Sequence, residues 1–176
     1  MDKQRTSPNN RAARPKGKGA TVPAAGDLLL LDNQLCFALY SASLTMTKVY
    51  KPLLAALGVT YPQYLVLLVL WERDALTVSE IGERLYLDSG TLTPLLKRLE
   101  SLGLIARQRS AADERQVVVS LTPEGKKLRQ RAQAVPAELL CAAQCTVAEI
   151  TDLTSRVRKL RGALAESVEA AAQAES

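Results

Sequence analysis

The sequence predicts a mostly α-helical fold with one small β-hairpin. Apolar residues recur at helical spacing along most of the chain beyond residue 27. Aromatic residues make up only 4% of the chain, so Leu, Ala and Val must fill the core, which favours helices. Two β-like runs at residues 105–109 and 117–121 are joined by a polar segment, which is the pattern of a hairpin. The length of 176 residues suits one domain with a sizeable core.

The first 26 residues do not belong to this fold, because they are rich in Pro, Gly, Asn, Lys and Arg and have no periodic apolar face. Six basic residues and one acidic residue lie in the first 20, which accounts for the whole formal net charge of +5. The sequence therefore predicts a disordered basic tail over residues 1–26 and a single domain over residues 27–173.

Helix boundaries follow from the apolar period and from capping residues. Apolar positions 28, 31, 35, 39, 42 and 46 predict a first long helix that begins at Leu28. A short second helix is predicted to end at Leu57, before Gly58. A Thr followed three residues later by Gln or Glu forms a capping box, and such boxes predict further helix starts at Thr60, Thr77 and Thr146.

A fifth helix, capped by Asp88 or Ser89 and ended by Gly103, is predicted to have two different faces. Leucines at positions 92, 95, 96, 99 and 102 form the apolar face. The other side is small, polar or basic. Its candidate contact residues are Ser89, Gly90, Thr91, Thr93, Pro94, Lys97 and Arg98.

Two short helices, a tight connection and a following hairpin have the order of a winged helix-turn-helix, which we assign to residues 61–122. Residues 97–131 contain nine basic and four acidic residues, so this part of the chain can meet the phosphates of DNA. Lys97 and Arg98 can reach phosphates or guanine edges, and Arg115 at the hairpin tip is predicted to enter a minor groove. The simpler interpretation, an amphipathic helix that faces solvent, does not explain the hairpin and the basic cluster.

Composition excludes several classes of site. The chain has no His, which removes the commonest general base and metal ligand, and its three Cys residues cannot fill a four-ligand zinc site. We therefore expect no metal, no cofactor and no His-based catalytic triad. The apolar run at residues 64–71 is far shorter than the ~20 residues needed to span a bilayer, so we expect no membrane contact and a cytoplasmic location.

Four segments of the chain resemble the MarR family of dimeric bacterial repressors, and the resemblance extends over about residues 28–163. They are LTVSEI at residues 76–81, SGTLTPLLKRLE at 89–100, DER at 113–115 and VSLTPEG at 119–125. The resemblance implies a homodimer in which residues 27–60 and 123–173 form an interlocked helical region. It also implies that the two recognition helices read a pseudo-palindromic operator in double-stranded DNA, and that Asp113 braces Arg115 in the wing.

Within the MarR family, the chain most resembles the organic hydroperoxide resistance regulators. The predicted first helix carries this resemblance, since residues 32–40 read DNQLCFALY. This resemblance implies that Cys36 is the redox-sensing thiol and that Tyr50 and Tyr61 donate hydrogen bonds to its thiolate. A reactive thiolate needs such donors where no metal or His is near, and apolar surroundings admit an organic peroxide. Without the resemblance, the simpler interpretation is a core cysteine and two half-buried aromatic residues.

Cys141 matches the resolving cysteine of the two-cysteine subtype of that family, which bonds the oxidised partner across the dimer. A long basic helix is predicted from Pro123 onward, with Cys141 in it. Cys145 follows four residues later, so both thiols are expected on one helical face. Cys145 is therefore the alternative resolving residue.

Together these features predict a repressor that releases its operator when an organic hydroperoxide, the inducer, oxidises Cys36 and an intersubunit disulfide follows. Two alternatives stay open. A thiol peroxidase would use Cys36 catalytically but would have no use for the wing and the recognition helix. A MarR-type repressor that responds to a small aromatic ligand would keep Cys36 as a structural residue.

Overall fold

The computed structural model describes residues 28–110, 113 and 115–174. The predicted basic tail over residues 1–26 lies outside the described residues. The described residues fall into two units, which divide between Ser41 and Ala42. The predicted domain start at residue 27 and the divisions at residues 61 and 123 stay predictions.

The described part of the first unit contains a 3-10 turn, Leu31–Asn33, and the start of helix α1 (Leu35–Ala55). The prediction that this helix begins at Leu28 is wrong, because the backbone of Gln34 is extended (φ −84°, ψ 118°). The N–H groups of Asn33 and Gln34 bond carbonyl oxygens three residues earlier, each at 3.0 Å. The Gln34 side chain also donates to the Leu28 carbonyl. These bonds close a tight turn before the α-helix begins.

Helix α1 continues to Ala55, so the separate second helix predicted before Leu57 is wrong and corresponds to the end of α1. Pro52 lies inside α1 and removes one helix hydrogen bond without ending the helix. The chain then turns at Gly58, whose φ of +69° is a conformation that favours glycine. The helix thus ends at Ala55, two residues before the predicted end at Leu57, and Gly58 lies in the turn that follows.

Helix α2 (Tyr61–Glu72) lies at the centre of the core of the second unit. It is apolar on all sides, and seven of its residues are buried, including Leu67 and Leu70. The backbone N–H of Thr60 donates to Gln63 Oε1 at 2.8 Å, so the Gln63 half of the predicted capping box is formed.

Helices α3 (Val78–Leu85) and α4 (Ser89–Ser101) form the helix-turn-helix. The predicted capping box at the start of α3 is complete. Glu80 N–H donates to Thr77 Oγ1 at 3.2 Å, and Thr77 N–H donates to Glu80 Oε2 at 2.8 Å. Both bonds satisfy backbone donors that an uncapped helix would leave open.

Strands β2 (Ile105–Arg109) and β3 (Val117–Leu121) form the predicted hairpin at the predicted residues. They pair antiparallel, with Arg107 opposite Val119. A short strand that the sequence did not predict, β1 (Leu76–Thr77), pairs with β3, so the sheet has three strands in the order β1-β3-β2. Two residues are too few to show the alternation by which a strand is recognised in a sequence.

Three helices follow the sheet where the sequence predicts two: α5 (Pro123–Ala132), α6 (Val135–Ala143) and α7 (Val147–Ala174). The single long basic helix is therefore wrong. Pro136, in the first turn of α6, explains the break, since its ring would clash with the Ala132 carbonyl in a continuous helix. Helix α6 ends at Ala143, and the residue that caps it, Gln144, has a φ of +53°.

The predicted capping box at the start of α7 is formed, because Glu149 N–H donates to Thr146 Oγ1 at 3.2 Å and Thr146 N–H donates to Glu149 Oε2 at 2.8 Å. Within the described chain, no residue of α7 is buried. Four apolar residues at helical spacing form an exposed stripe, the α7 stripe. Its members are Leu153, Val157, Leu164 and Val168, which are 55%, 41%, 55% and 69% exposed.

Asp74 joins the end of α2 to the sheet and to α5. Its Oδ1 accepts hydrogen bonds from the N–H groups of Leu121 at 2.8 Å and Ala75 at 2.9 Å, and its Oδ2 lies 3.2 Å from Lys126 Nζ. Burial raises the pKa of Asp74, but these hydrogen bonds and the Lys126 charge together outweigh burial and hold the pKa below its ordinary value. The folded chain therefore favours the ionised carboxylate.

We expect Asp74→Ala to lower the free energy of unfolding by about 1–3 kcal/mol at neutral pH, because the Leu121 N–H loses its acceptor. Since folding lowers the pKa of Asp74, its contribution is present above the ordinary carboxyl pKa and is lost as the pH falls through the folded pKa. Urea titrations across this pH range should therefore show the difference between wild type and variant shrinking in acid.

The matched control is Asp152→Ala, which removes an exposed pair with Arg156 at 3.8 Å. It should change the free energy of unfolding by less than about 0.5 kcal/mol. Equal losses in the two variants, or a loss in Asp74→Ala that does not depend on pH, would contradict the proposed role of Asp74.

Candidate functional site

Helix α4 has a buried apolar face and an exposed polar edge. Leu92, Leu96 and Leu99 are at most 1% exposed and hold the helix against the core. The candidate contact residues on its other side form the polar edge of α4. Of these, Ser89, Gly90, Thr91, Pro94, Lys97 and Arg98 are exposed, and Thr93 is half-buried.

Asp88 fixes the first turn of α4. Its Oδ1 accepts from Thr91 N–H at 2.8 Å and its Oδ2 from Thr91 Oγ1 at 2.8 Å, and these bonds lower the pKa of Asp88. Thr93 Oγ1 donates to the Ser89 carbonyl at 2.6 Å. Because both hydroxyl groups donate within the first turn, each threonine offers a ligand its methyl group and the remaining lone pairs of its hydroxyl oxygen. Such methyl groups suit contact with the methyl group of thymine.

The wing presents Arg115 to solvent, with 91% of its side chain exposed. Asp113 Oδ1 accepts from both the Nε and the backbone N–H of Arg115, each at 3.1 Å. The hydrogen bonds from Arg115 hold the pKa of Asp113 below its ordinary value. An ion pair this exposed adds little stability, so its effect is to limit the orientations of the Arg115 side chain.

The helix-turn-helix and the wing meet at one cleft of about 350 Å³. Thr93 of α4, Arg115 of the wing and Ser79 from the first turn of α3 all line this cleft. The structure thus brings a residue of the polar edge of α4 next to the predicted wing residue.

Not every basic residue of the stretch 97–131 is free to meet phosphates. Arg107 Nε donates to Glu100 Oε2 at 3.0 Å and its backbone N–H to Glu100 Oε1 at 3.2 Å, which ties α4 to β2. Lys126 is paired with Asp74. Lys97 and Arg98 are exposed, and Arg115 is 91% exposed although it is paired with Asp113, so these three remain as candidates for phosphate contact.

Tyr50 and Tyr61 lie together in the second unit. Their rings are stacked with centroids 4.5 Å apart and planes inclined by 28°. Tyr50 comes from the later part of α1, and Tyr61 is the first residue of α2. We call these two residues the tyrosine pair.

The phenols of the tyrosine pair are held in the neutral form. Burial, with smaller contributions from Tyr61 and Tyr64, raises the pKa of Tyr50 to about 12. Burial also raises the pKa of Tyr61. An ordinary phenol is already protonated at physiological pH, and burial extends the pH range over which both hydroxyl groups keep their protons and can donate hydrogen bonds.

Cys36 belongs to the first unit, in the first turn of α1. It is exposed and is not part of a disulfide. Its Sγ lies 3.9 Å from Gln34 Oε1, a distance that suits donation from the thiol to the amide oxygen.

The expectation that Cys141 and Cys145 share one helical face is wrong. Cys141 lies in the last turn of α6 and is exposed, whereas Cys145 follows the left-handed Gln144 and lies outside the helix. The Cys145 thiol is half-buried and donates to the Ala143 carbonyl at 3.2 Å. The turn at Gln144 therefore gives the two thiols different surroundings.

Within residues 28–110, 113 and 115–174, no group of three or more His, Cys, Asp or Glu side chains is arranged to hold a metal ion. None of the helices described in this range is long and apolar enough to cross a membrane.

The chain is similar to known transcription regulators. Residues 48–132 match the family model of the transcriptional regulator SarA/Rot. Over 134 residues the chain is 52% identical to the organic hydroperoxide resistance transcriptional regulator of Bacillus subtilis (strain 168), in an alignment that covers 76% of this chain and 91% of the relative. The chain belongs to the MarR family and, within it, to the organic hydroperoxide resistance regulators.

Solved structures agree with this membership and with the winged-helix fold. The crystal structure of AbfR of Staphylococcus epidermidis is 36% identical to this MarR-family chain, covers 77% of it and 94% of AbfR, and superposes with a TM-score of 0.67. AbfR has also been solved in its reduced form bound to DNA, in its overoxidized form bound to DNA and in a disulfide form.

Sequence reasoning missed three contacts that join separate parts of this MarR-family chain. They are the Asp74 bond to Leu121, the Glu100 bond to Arg107, and the bond from Trp71 Nε1 to the Gly125 carbonyl at 2.9 Å. Each joins different elements, and no local pattern in the sequence marks them.

We expect Tyr50 to ionise near pH 12, which difference absorbance between wild type and Tyr50→Phe can measure in the ultraviolet. Because the folded pKa is raised, the stability linked to the neutral phenol is present below the ordinary tyrosine pKa and is lost as the pH rises toward the folded value. Wild type should therefore lose stability relative to Tyr50→Phe over that window. Ionisation of Tyr50 at its ordinary pKa, in protein that circular dichroism shows to be folded, would contradict its burial beside Tyr61.

Proposed function

We propose that the chain is a homodimeric transcriptional repressor that binds operator DNA when reduced and releases it when an organic hydroperoxide oxidises Cys36. The observation that carries this proposal is the exposed polar edge of α4 beside an exposed Arg115, in a chain 52% identical to an organic hydroperoxide resistance regulator. The protein acts in the cytoplasm. It is not an enzyme, because oxidation serves as a switch rather than as one step of a turnover cycle.

In the DNA complex, the polar edge of α4 lies in the major groove, with Lys97 and Arg98 on phosphates or guanine edges. Arg115 enters the adjacent minor groove, and Asp113 is its positioning residue. The DNA-bound structures of reduced and overoxidized AbfR, at 38% and 36% identity, support DNA binding by this chain.

Two copies of the chain bind one pseudo-palindromic operator. The α7 stripe supports a dimer, because its four exposed apolar residues favour burial against a second apolar surface. A twofold dimer also presents two recognition helices to the two half-sites of an operator.

The chemical step begins when the Cys36 thiolate attacks one oxygen of the hydroperoxide. The S–O bond forms as the O–O bond breaks, and the remaining alkoxide takes a proton and leaves as an alcohol. Sulfur is oxidised by two electrons to the sulfenic acid, and the peroxide is reduced. A second thiol then attacks the sulfenic sulfur, forms a disulfide and releases water.

The tyrosine pair supports the role assigned to Cys36. Neutral phenols donate hydrogen bonds and so stabilise a thiolate without adding a fixed positive charge. Both phenols are protonated at physiological pH, and burial raises the pKa of Tyr50 and Tyr61 further.

Cys141 is the resolving residue, which makes this chain a two-cysteine regulator. Its exposure at the end of α6 supports this assignment, because a disulfide to the partner protomer needs an accessible thiol. Cys145 is the less accessible of the two and is engaged with the Ala143 carbonyl. The disulfide form of AbfR superposes on this chain with a TM-score of 0.51, against 0.63 for its reduced form, which supports a change of shape when the bond forms.

We expect operator affinity to fall steeply with salt, because phosphate contacts release counterions. Arg115→Ala should weaken operator binding by about 1–3 kcal/mol, and Lys97→Ala should flatten the dependence of affinity on salt. Fluorescence anisotropy with labelled operator measures both. Lys159→Ala, on α7, is a matched control of the same charge and should leave both unchanged. A loss of less than a few tenths of a kcal/mol in Arg115→Ala would exclude its groove contact.

We expect Cys36→Ser to bind the operator like wild type and to retain it under organic hydroperoxide, because serine lacks the nucleophilic sulfur. Cys141→Ser should still oxidise but stop at the sulfenic acid, so that a non-reducing gel shows no linked dimer. Cys145→Ser is the matched control and should form the linked dimer normally.

If the linked dimer is lost in Cys145→Ser and not in Cys141→Ser, then Cys145 is the resolving residue and Cys141 is not. Release of DNA from oxidised Cys36→Ser would refute redox sensing and leave only DNA binding. Steady consumption of peroxide with a thiol reductant would point instead to a thiol peroxidase.

A further inference from the structure

A row of aromatic rings extends from the tyrosine pair along α2. Tyr64 lies 5.9 Å from Tyr50 between ring centroids, and Trp71 lies 6.0 Å from Tyr64 in an edge-on arrangement. With Tyr61 stacked on Tyr50, these four residues form what we call the aromatic row. Tyr64 and Trp71 are 3% and 9% exposed, so the row lies inside the core.

The far end of the aromatic row is bonded to α5. Trp71 Nε1 donates to the Gly125 carbonyl at 2.9 Å, and this hydrogen bond is buried. Gly125 lies in the first turn of α5, directly after the wing. The indole therefore connects the end of α2 to the segment from which the wing emerges.

Gly125 itself is pressed against the wing base, which we define as Leu104, Leu121 and Thr122. A Cβ at Gly125 would lie 2.0 Å from the Leu104 carbonyl oxygen, so only glycine fits there. Thr122 N–H donates to the same Leu104 carbonyl at 3.1 Å. A shift of the Gly125 backbone must therefore displace the wing base, because close-packed backbones leave no room to absorb it.

We propose that Trp71 is a positioning residue that transmits movement of the tyrosine pair to the wing base. The proposal rests on the proposed function, in which the tyrosine pair bonds the Cys36 thiolate and loses that partner on oxidation. The rings of the aromatic row are rigid and in contact, so a displacement of Tyr50 or Tyr61 reaches Trp71 through Tyr64. The buried hydrogen bond then conveys it to Gly125.

A second connection between the same regions makes the proposal specific. Arg131 of α5 donates through Nη2 to the Ala56 carbonyl, just beyond the end of α1. This contact also links α1 to α5, but it bypasses the aromatic row. Variants of Trp71 and of Arg131 therefore separate the two routes.

The test uses the full-length protein and measures the release factor, the ratio of the operator dissociation constants of the oxidised and reduced forms. Trp71→Phe keeps an aromatic ring and removes the N–H donor. It should lower the release factor at least about tenfold, while the reduced form binds within about threefold of wild type and cumene hydroperoxide consumes the Cys36 thiol at the wild-type rate.

Tyr64 provides a pair of variants that interrupts the row or leaves it whole. Tyr64→Leu removes the ring and should lower the release factor like Trp71→Phe, whereas Tyr64→Phe retains the ring and should keep it within about twofold of wild type. Arg131→Gln should also keep the wild-type release factor. A normal release factor in Trp71→Phe, or a loss in Arg131→Gln alone, overturns the proposal.

Trp71 is the single tryptophan of the chain, so tryptophan fluorescence reports on the surroundings of Trp71 without an added label. Oxidation of Cys36 should change this emission in wild type and change it much less in Tyr64→Leu. If the oxidised wild-type protein still binds the operator, the proposed function fails. The fluorescence of Trp71 is then the measurement that tests whether the aromatic row transmits movement. Unchanged emission on oxidation overturns the role of Trp71 even where DNA is released.

Discussion

The burial of α2 is the constraint on which the rest of the second unit depends. A helix that is apolar on all sides is stable only when other elements cover it from every direction. Helices α3, α4 and α5 all contact α2, so the recognition helix and the helix that follows the wing are oriented by the same surface. The two ends of α2 make different contacts. Tyr61, at the start of α2, stacks on Tyr50, and Trp71, near the end of α2, donates a hydrogen bond to Gly125 of α5.

The parts of the fold that local chemistry decides could be predicted from the sequence. The capping boxes at Thr77 and Thr146 form because each depends on residues three apart, and the hairpin forms at the predicted residues because its strands and polar connection are contiguous. The break between α5 and α6 also had a local signal, Pro136. The apolar and basic residues around Pro136 fit one continuous helix, and the prediction followed that pattern instead. The 3-10 turn before Leu35 had no such signal, since backbone hydrogen bonds from Asn33 and Gln34 close it.

Other features have no local signal. The Asp74 bond to Leu121 and the Trp71 bond to Gly125 join residues 47 and 54 positions apart, and only the packed fold brings them together. For the candidate site, helical periodicity predicted the polar edge of α4, because its opposite face carries the buried leucines. The roles of Cys36, Tyr50 and Tyr61 came from resemblance instead. Spacing along a chain does not encode how reactive a thiol is.

The exposed apolar residues of α7 couple the folding stability of this protein to its association into a dimer. A dimer buries such a surface, and the apolar area removed from water then stabilises the fold together with the association. The unfolding midpoint of an obligate dimer depends on protein concentration for the same reason. Substitutions on the α7 stripe therefore act on assembly as well as on folding, and comparisons between variants require a fixed concentration.

The hydrogen-bond donors of the proposed switch do not titrate under physiological conditions. Burial keeps the phenols of Tyr50 and Tyr61 neutral far above neutral pH, so the donors are the same before and after the thiol reacts. What changes is the acceptor, since a thiolate carries a full negative charge and a sulfenic acid or disulfide does not. Hydrogen bonds to a charged group are roughly twice as strong as those between neutral groups. Under the proposed function, oxidation therefore weakens the hydrogen bonds from the tyrosine pair to the sulfur by about half, which allows the stacked rings at the start of α2 to adopt another arrangement.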